Sequence, residues 1–481
     1  MFRFSTIEEK HLLGFLKAGK LDDFLDEIFQ QFWELSPKVQ FELILYIKSR
    51  RRYPNLRVIS ETFGIGAEDA KSFLKGSFRE FLVPVVGRNS GIVRGLSVRN
   101  LKGIITNMKH LETSMKRIKK FLREGFGLFF DDEFSGESYM LPALVSLYVN
   151  NVPHGLIFTG SLDSRGNVLE VNAITEKRTL AEKEGYRLAD PLRIGNIRDI
   201  KDHLDADCHN VPFFVTNTPA SSGEYEEFRN FLSYTPVKEE KLELFETLNG
   251  MDWKDLTIVT GQLPQSQERW REIAVEFFSK LRRIEGTLEG RYHLHIGIKG
   301  PSTLSLCLGA LFGGQRPFTF YHFQKGLYYP LTVDDPRTLK ERVSGYRHII
   351  WEFEEGSNVL VIILALAHHE PEADARDATK NLSPSYLIVR HRKSGNIPLK
   401  DIKEVARECS SLIQDIRKRR RFDKFLFFLS MPVSVAFLVG VAFGHWNSGE
   451  IYNYFGEGLY TKVADLLALR EIREDKVEIP R

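Results

Sequence analysis

The sequence predicts an α/β multidomain chain with a helical N-terminal domain, a central α+β domain and a C-terminal domain made of two similar Rossmann-like halves. Three observations predict it. Helical periodicity without strand alternation runs through the first 80 residues, and strand–turn–strand–helix patterns fill the middle. Near the C-terminal end, a block of the sequence recurs 131 positions further on. The boundaries that follow are 1–80, 81–240 and 241–481.

In the first segment, Leu12, Leu13, Phe15 and Leu16, then Leu21, Phe24, Leu25, Ile28 and Phe29, recur at helical spacing. Ser5 with Glu8 predicts a capping box. Arg57 to Leu74 reads as helix-turn-helix, with Gly64 at the turn and Ile65 and Ala70 facing inward. Its second helix begins Ala67-Glu68-Asp69. Acids there repel phosphate, where a DNA reader needs donors. Lys48 and Arg50 to Arg52 read as a solvated face. Direct DNA binding is therefore not expected, and a packing or docking role is.

In the middle, Gly91 to Leu96 reads as a strand and Thr113 to Gly125 as a helix. Phe134-Ser135-Gly136-Glu137-Ser138-Tyr139 precedes an apolar helix from Leu141 to Val149. Phe158 to Lys177 reads as strand, turn at Arg165-Gly166, strand, then a helix from about Thr175.

The repeat pairs Ile298 to Gly309 with Leu429 to Gly440. Pro301 to Gly309 and Pro432 to Gly440 are both eight positions, and twelve more lead to Tyr321 and to Tyr452. Each copy reads as a buried strand, a helix starting at the proline, a strand, a Gly turn and a Tyr-bearing strand. Such a duplication makes a pseudo-two-fold pocket, which suits a ligand that is itself repetitive.

Ligands of open α/β sheets sit beyond the carboxyl ends of the strands. That edge holds Lys299, Gly300, Pro301, Ser302 and Thr303 in the first copy, and Ser430, Met431, Pro432 and Ser434 in the second. Helix starts with hydroxyls suit phosphates, and Lys299 adds charge. Tyr321, with Gln324 three positions on, belongs to a set of aromatics able to stack bases. The basic run Arg417 to Arg421 ends a helix leading into the strand at Phe425, which places it at the opposite edge. There it compensates a helix C-terminus or meets another subunit.

Phe425 to Phe443 is 19 residues without a charge, the length of a membrane span. The repeat resolves it differently: a buried strand from Phe425 to Leu429, then a buried helix from Pro432, because proline suits a first turn and disrupts mid-span. Membrane insertion is not expected. Glu8, Glu9 and Lys10 come too early for a signal peptide.

Charged residues make up 27 % of the chain and the net charge is +3, so bulk attraction to polyanions does not follow. Cys208, Cys307 and Cys409 are far apart and odd in number, which predicts neither a disulfide framework nor a metal site. A reducing cytoplasm fits, and no cofactor is expected.

On these motifs, the segment from Leu244 to the C-terminus resembles the SAVED domain, a cyclic-oligonucleotide sensor of two fused CARF-like halves. Phe81 to Leu204 resembles the proteolytic domain of Lon, a Ser–Lys peptidase. The Lon pattern Thr-Gly-Glu, Arg-Gly, Leu-Pro and Lys-Glu-Lys maps onto Thr159 to Lys177, and its nucleophile loop maps onto Gly136 to Met140. The resemblance makes Ser138 the nucleophile, Lys177 the general base and Thr159 the hydroxyl that orients the lysine. A serine needs a base to become nucleophilic, and a lysine serves only when burial lowers its pKa. Backbone N–H groups at the helix start near Ser138 suit an oxyanion hole.

Two positions depart from the family. Glu137, turned inward, would hold Lys177 protonated, and Tyr139 would narrow the cleft. The three-part order is similar to that of the CRISPR-associated Lon proteases. It implies cyclic tetra-adenylate or another cyclic oligonucleotide as activator, a companion protein as substrate, and head-to-tail self-association. The alternative is a ligand-responsive scaffold or transcriptional regulator with an inactive Lon-like domain.

Overall fold

The computed structural model describes residues 3–87, 90–218, 223–393, 395–445 and 448–474. The chain divides into two compact units. One comprises Met1–Asp207 with Glu243–Gly250, and the other comprises Cys208–Leu242 with Met251–Arg481.

The first unit is organised around a four-stranded sheet in the order Phe78–Val85, Gly91–Leu101, Gly125–Phe130, Ile104–Thr106. The sheet is buried on both faces. Along Gly125–Phe130, the side chains of Phe126, Leu128 and Phe130 enter one core, shared with the helix Met140–Tyr148. Phe129 points the other way, into a core made with the N-terminal helices, where Leu96, Val98 and Ile105 join it.

The N-terminal helices are therefore the second covering layer of this sheet. The expectation of a separate helical domain at 1–80 gives way to one core shared with the central segment. The helix-turn-helix pair is present as Leu56–Phe63 and Ala67–Lys75, with Gly64 left-handed at φ 62°. Its second helix packs on the sheet. Phe73 lies 5.8 Å from Phe129, centroid to centroid, and the Asp69 carboxylate accepts from the Lys102 N–H at 3.0 Å. Lys48, expected on a solvated face, donates to the Leu74 and Gly76 carbonyls at that helix's C-terminal end.

The Ser5–Glu8 capping box does not form. A short 3-10 turn at Phe4–Thr6 intervenes, the first α-helix starts at Glu9, and Ser5 donates to Glu34 instead.

The central pattern folds as read. Strands Ser161–Leu162 and Val168–Leu169 form a hairpin, followed by the helix Ile174–Lys183. The turn needs Gly166: it sits at φ 87°, and a Cβ there would lie 2.5 Å from the Phe121 ring. Asp163 sets the turn by accepting from the Arg165 and Asn167 N–H groups. The return of Glu243–Gly250 to this unit has two causes. Leu244 and Leu248 enter its core, and the Arg187 guanidinium donates to the carbonyls of Glu246, Thr247 and Leu248.

The second unit holds two mostly parallel sheets. The first runs Thr257–Val259, His209–Thr216, Tyr292–Lys299, Phe318–Gln324, Leu327–Val333. Here the sequence reading changes. Strand His209–Thr216, assigned with the central segment, pairs in parallel with Tyr292–Lys299 and supplies the strand beside it. The second sheet runs Ile349–Glu354, Ser385–His391, Val359–Ala365, Lys424–Ser430, Gly449–Tyr454, Tyr460–Asp465. The uncharged stretch folds as strand Lys424–Ser430 and helix Val433–Phe443. No described helix is long and apolar enough to cross a membrane.

The duplicated glycines meet where helices Ser302–Phe312 and Val433–Phe443 cross. A Cβ on Gly309 would lie 2.2 Å from the Phe437 carbonyl oxygen, and one on Gly440 would lie 2.4 Å from that of Leu306. Ser305 adds an interhelical bond to the Val433 carbonyl at 2.8 Å. The pseudo-two-fold axis thus runs through a backbone-to-backbone contact that only glycine permits.

Candidate functional sites

The first site is a cavity of about 390 Å³ in the second unit, at the carboxyl ends of strands Tyr292–Lys299 and Phe318–Gln324. Lys299, Gly300, Tyr321, Gln324, Met431 and Pro432, all predicted ligand residues, line it. Pro301, Ser302 and Thr303 do not. Pro301 caps the helix Ser302–Phe312, and Thr303 is buried, 3.5 Å from the Tyr452 carbonyl. The expected symmetry is therefore broken. The first copy contributes its strand end and the second its helix start.

Sequence reasoning missed several lining residues. Asn396 and Ile397 come from a loop outside the repeat. His322 lies in the first copy where the second has Asn453, and that difference was the available signal. Its Nδ1 pairs with the Ser434 hydroxyl at 2.9 Å, and burial lowers its pKa. Phe323 is half exposed and offers a stacking face.

Tyr321 is held from below. Its hydroxyl lies 3.0 Å from His295 Nδ1, and His295 Nε2 lies 2.9 Å from Asn210. These residues form a ladder across three neighbouring strands. Burial pushes the Tyr321 phenol up to about 12. Tyr328, Tyr452 and Tyr460 are strand core rather than cavity wall. Tyr452, for example, stacks on Phe428 at 4.7 Å.

Lys299 is not a bare cation. Its ammonium donates to the Glu227 carboxylate and to Thr218 at 3.2 Å. The Glu227 helix lies 72 positions earlier in the sequence, beyond the reach of motif reading.

The basic run ends the helix Ile402–Arg419 as expected. Arg417 lies over the Phe425 and Phe443 rings at 5.4 and 5.8 Å, beside a different cavity at the far end of helix Val433–Phe443. Among the described residues, no group of three or more His, Cys, Asp or Glu side chains is arranged to hold a metal.

The second site is in the first unit, a cleft of about 410 Å³ lined by Ser138, Lys177, Glu137, Ser161 and Ala173. Ser138 and Lys177, 39 positions apart in sequence, come together there. Ser138 sits in the loop entering the helix Met140–Tyr148, and the Gly160 N–H donates to its carbonyl at 3.1 Å. Lys177 is 5 % exposed, and burial alone lowers its pKa, with no acidic partner opposing it among the described residues. Its helix is entered through Ala173 at φ 61°, a left-handed conformation that costs a non-glycine residue energy.

Both departures from the Lon pattern are engaged with other residues. The Glu137 carboxylate is turned to the Arg117 guanidinium, and it also accepts from Ser161 at 2.8 Å. The Arg117 bond outweighs burial and holds its pKa below the ordinary carboxylate value. Tyr139 does not narrow the cleft. It is fully buried, its hydroxyl is 2.6 Å from Ser114, and its ring packs on Phe130 and Phe134. Thr159 is buried, and its hydroxyl has no hydrogen-bond partner among the described residues, so the expected bond to Lys177 is not formed. At the helix start the Met140 and Leu141 N–H groups are already bonded to Glu137 and Gly160, which moves any oxyanion hole upstream of them.

The second unit is thus a doubled α/β fold with a cleft at its strand ends. Residues 271–466 match the family model described as SAVED, the SMODS-associated sensor domain fused to various effectors, so the chain carries a SAVED domain. No curated protein matches the chain. Similar solved structures include two of the Cap4 SAVED/CARF-domain receptor of Acinetobacter baumannii. The one with the cyclic trinucleotide 2'3'3'-cAAA is 18 % identical at TM-score 0.38, covering 56 % of this chain and 54 % of that one. The one with 3'3'3'-cAAA is 17 % identical at TM-score 0.37, with the same coverage. The Cap4 receptor of Moraxella osloensis is 12 % identical at TM-score 0.35, covering 80 % of this chain and 94 % of that one. The chain spans about half the length of the Acinetobacter receptors it matches.

Proposed function

We propose that this chain is a ligand-activated effector of antiviral defence, in which a SAVED domain binds a cyclic oligoadenylate and the central region is a Ser–Lys endopeptidase that cleaves a companion protein. The observation that carries the sensor half is the coincidence of the family match with a cavity at the strand ends. That cavity offers a cation, amide and hydroxyl groups, and an exposed aromatic face. The protease half is supported by Ser138 and a buried Lys177, unpaired among the described residues, lining one cleft.

In the proposed reaction, neutral Lys177 takes the Ser138 hydroxyl proton as Oγ attacks the scissile carbonyl. The resulting ammonium returns the proton to the leaving amine. Water then releases the acyl group by the same transfer in reverse order. Thr159, whose buried hydroxyl has no hydrogen-bond partner among the described residues, is the proposed acceptor for the ammonium formed in the first step. The Glu137–Arg117 pair keeps the neighbouring carboxylate from stabilising Lys177 as a cation before attack.

Cyclic tetra-adenylate is the first ligand to test, and the cyclic triadenylates named for the Cap4 receptors are the next. Lys299→Glu puts two carboxylates where one ion pair stood. Isothermal titration is expected to show at least about a tenfold loss of affinity, while a fluorophosphonate probe still labels Ser138. Unchanged affinity moves the ligand elsewhere. Labelling that never occurs, with or without ligand, favours an inactive scaffold.

The two halves present different surfaces, a strand end with Lys299 and a helix start at Pro432. Different surfaces favour heterologous contacts, which need not close at two subunits. Ligand is therefore expected to convert the chain into open head-to-tail oligomers, with cleavage tracking assembly. Mass photometry of a Ser138→Ala chain tests this, and a strictly monomeric ligand complex that is fully active in the parent chain overturns it.

A further inference from the structure

Among the described residues lining the sensor cleft, Lys299 is the one lysine or arginine, and its charge is already engaged. Glu227 holds it from the helix Glu224–Leu232. The carboxylate is itself fixed: Thr216 donates to Oε2 at 2.7 Å, and Thr218 donates to both oxygens at 2.8 Å. Burial raises the Glu227 pKa, but the bonds from Lys299, Thr216 and Thr218 outweigh it and hold the group below the ordinary value, so it stays ionised. The same helix carries Phe231, whose ring packs at 5.4 Å on Tyr321 in the cleft wall. A phosphate entering this cleft therefore meets a cation whose field is cancelled by a fixed, ionised partner.

We propose that Glu227 is an electrostatic gate on the ligand site, holding Lys299 until a polyanion displaces it, and so sets the concentration at which the sensor responds. This rests on the cyclic-oligonucleotide reading above. A ligand can shift the site only by the interaction it gains over the one it breaks. One phosphate offers Lys299 little more than Glu227 already does. A ring of linked phosphates brings more charge and further contacts, and takes the lysine. The gate thus suppresses response to mononucleotides as well as to low ligand concentrations.

The test is titration calorimetry with cyclic tetra-adenylate, cyclic triadenylate and adenosine monophosphate. Glu227→Gln keeps the shape and the ability to accept from Thr216 and Thr218 while removing the charge. It is expected to bind the cyclic ligand about fivefold more tightly, the factor matching the roughly 1 kcal/mol upper value of a partly exposed ion pair. Its gain for the monophosphate should be at least as large. Thr218→Val, which loosens the carboxylate, should give a smaller gain in the same direction. In a Lys299→Met background the Glu227→Gln gain should vanish. Affinity that is unchanged or weaker in Glu227→Gln, or a gain that persists without Lys299, overturns the gate while leaving the ligand reading intact. A parent chain that binds none of the cyclic compounds overturns the ligand reading first, and the gate with it.

Discussion

Ser138→Ala and Lys177→Ala are each expected to abolish cleavage of the companion protein, by about 10⁴-fold or more, and the double variant is expected to be no worse than either. The reason is that nucleophile and base act in one step. Without the base the hydroxyl stays protonated, and without the hydroxyl the base has nothing to activate. Lys177→Arg should be as damaging, because guanidinium does not give up its proton in the accessible pH range. Thr159→Val, which removes only the unbonded hydroxyl, should cost less, within about 10²-fold.

The pH profile carries the sign. The reactive lysine is the neutral one, and burial lowers the pKa of Lys177. Activity should therefore fall as pH drops through that lowered value, with the limb below the ~10.4 of a free lysine. Ligand-dependent cleavage by pure Ser138→Ala protein, or an acid limb near 10.4, would remove Ser138 and Lys177 from these roles.

Much of this was readable in the sequence, for identifiable reasons. The Pro–Gly–Tyr block announced the doubled sensor because its glycines sit where two backbones touch, so that any Cβ at 309 or 440 would force the helices apart. The Arg165-Gly166 turn was legible because turn chemistry is local. What stayed hidden is non-local. The strand His209–Thr216 carries no motif, and the chain leaves for the other unit at 243–250 before returning, so its pairing with Tyr292–Lys299 has no sequence trace. The N-terminal helices read correctly as helices. That they cover the far face of the central sheet depends on Phe129 pointing opposite to its neighbours Leu128 and Phe130, which a continuous apolar strand does not reveal.

At the sites, residue type was legible and engagement was not. Lys299 could be placed at the strand ends but not the carboxylate that holds it, and Glu137 and Tyr139 were read as intruders although the Glu137 carboxylate is turned to Arg117 and the Tyr139 hydroxyl to Ser114.

Gly440→Ala is expected to destabilise the sensor unit by about 1–3 kcal/mol, whereas Gly14→Ala should stabilise its own unit by up to about 1 kcal/mol. The chemical change is identical and the surroundings decide the sign. Gly14 lies exposed in the helix Glu9–Lys17 with nothing within 4 Å of an added Cβ, so only the gain in helix propensity remains. At Gly440 the added carbon would stand 2.4 Å from the Leu306 oxygen and 2.8 Å from the Ala310 nitrogen. Both are backbone atoms of the partner helix and cannot rotate aside as a side chain would, so the helices must part. Parting them breaks the Ser305–Val433 bond and shifts Pro432 and Val433, which line the strand-end cavity at the start of the same helix. Thermal unfolding of the sensor should drop by several degrees, at about 2–4 °C per kcal/mol for a unit of this size. Ligand affinity should fall in parallel, although no ligand-lining residue has been changed. Gly309→Ala, across the axis at 2.2 Å from the Phe437 oxygen, should behave alike. If Gly440→Ala and Gly309→Ala melt with the parent chain and bind ligand as it does, the crossing is looser than these distances describe and the duplicated glycines have another purpose.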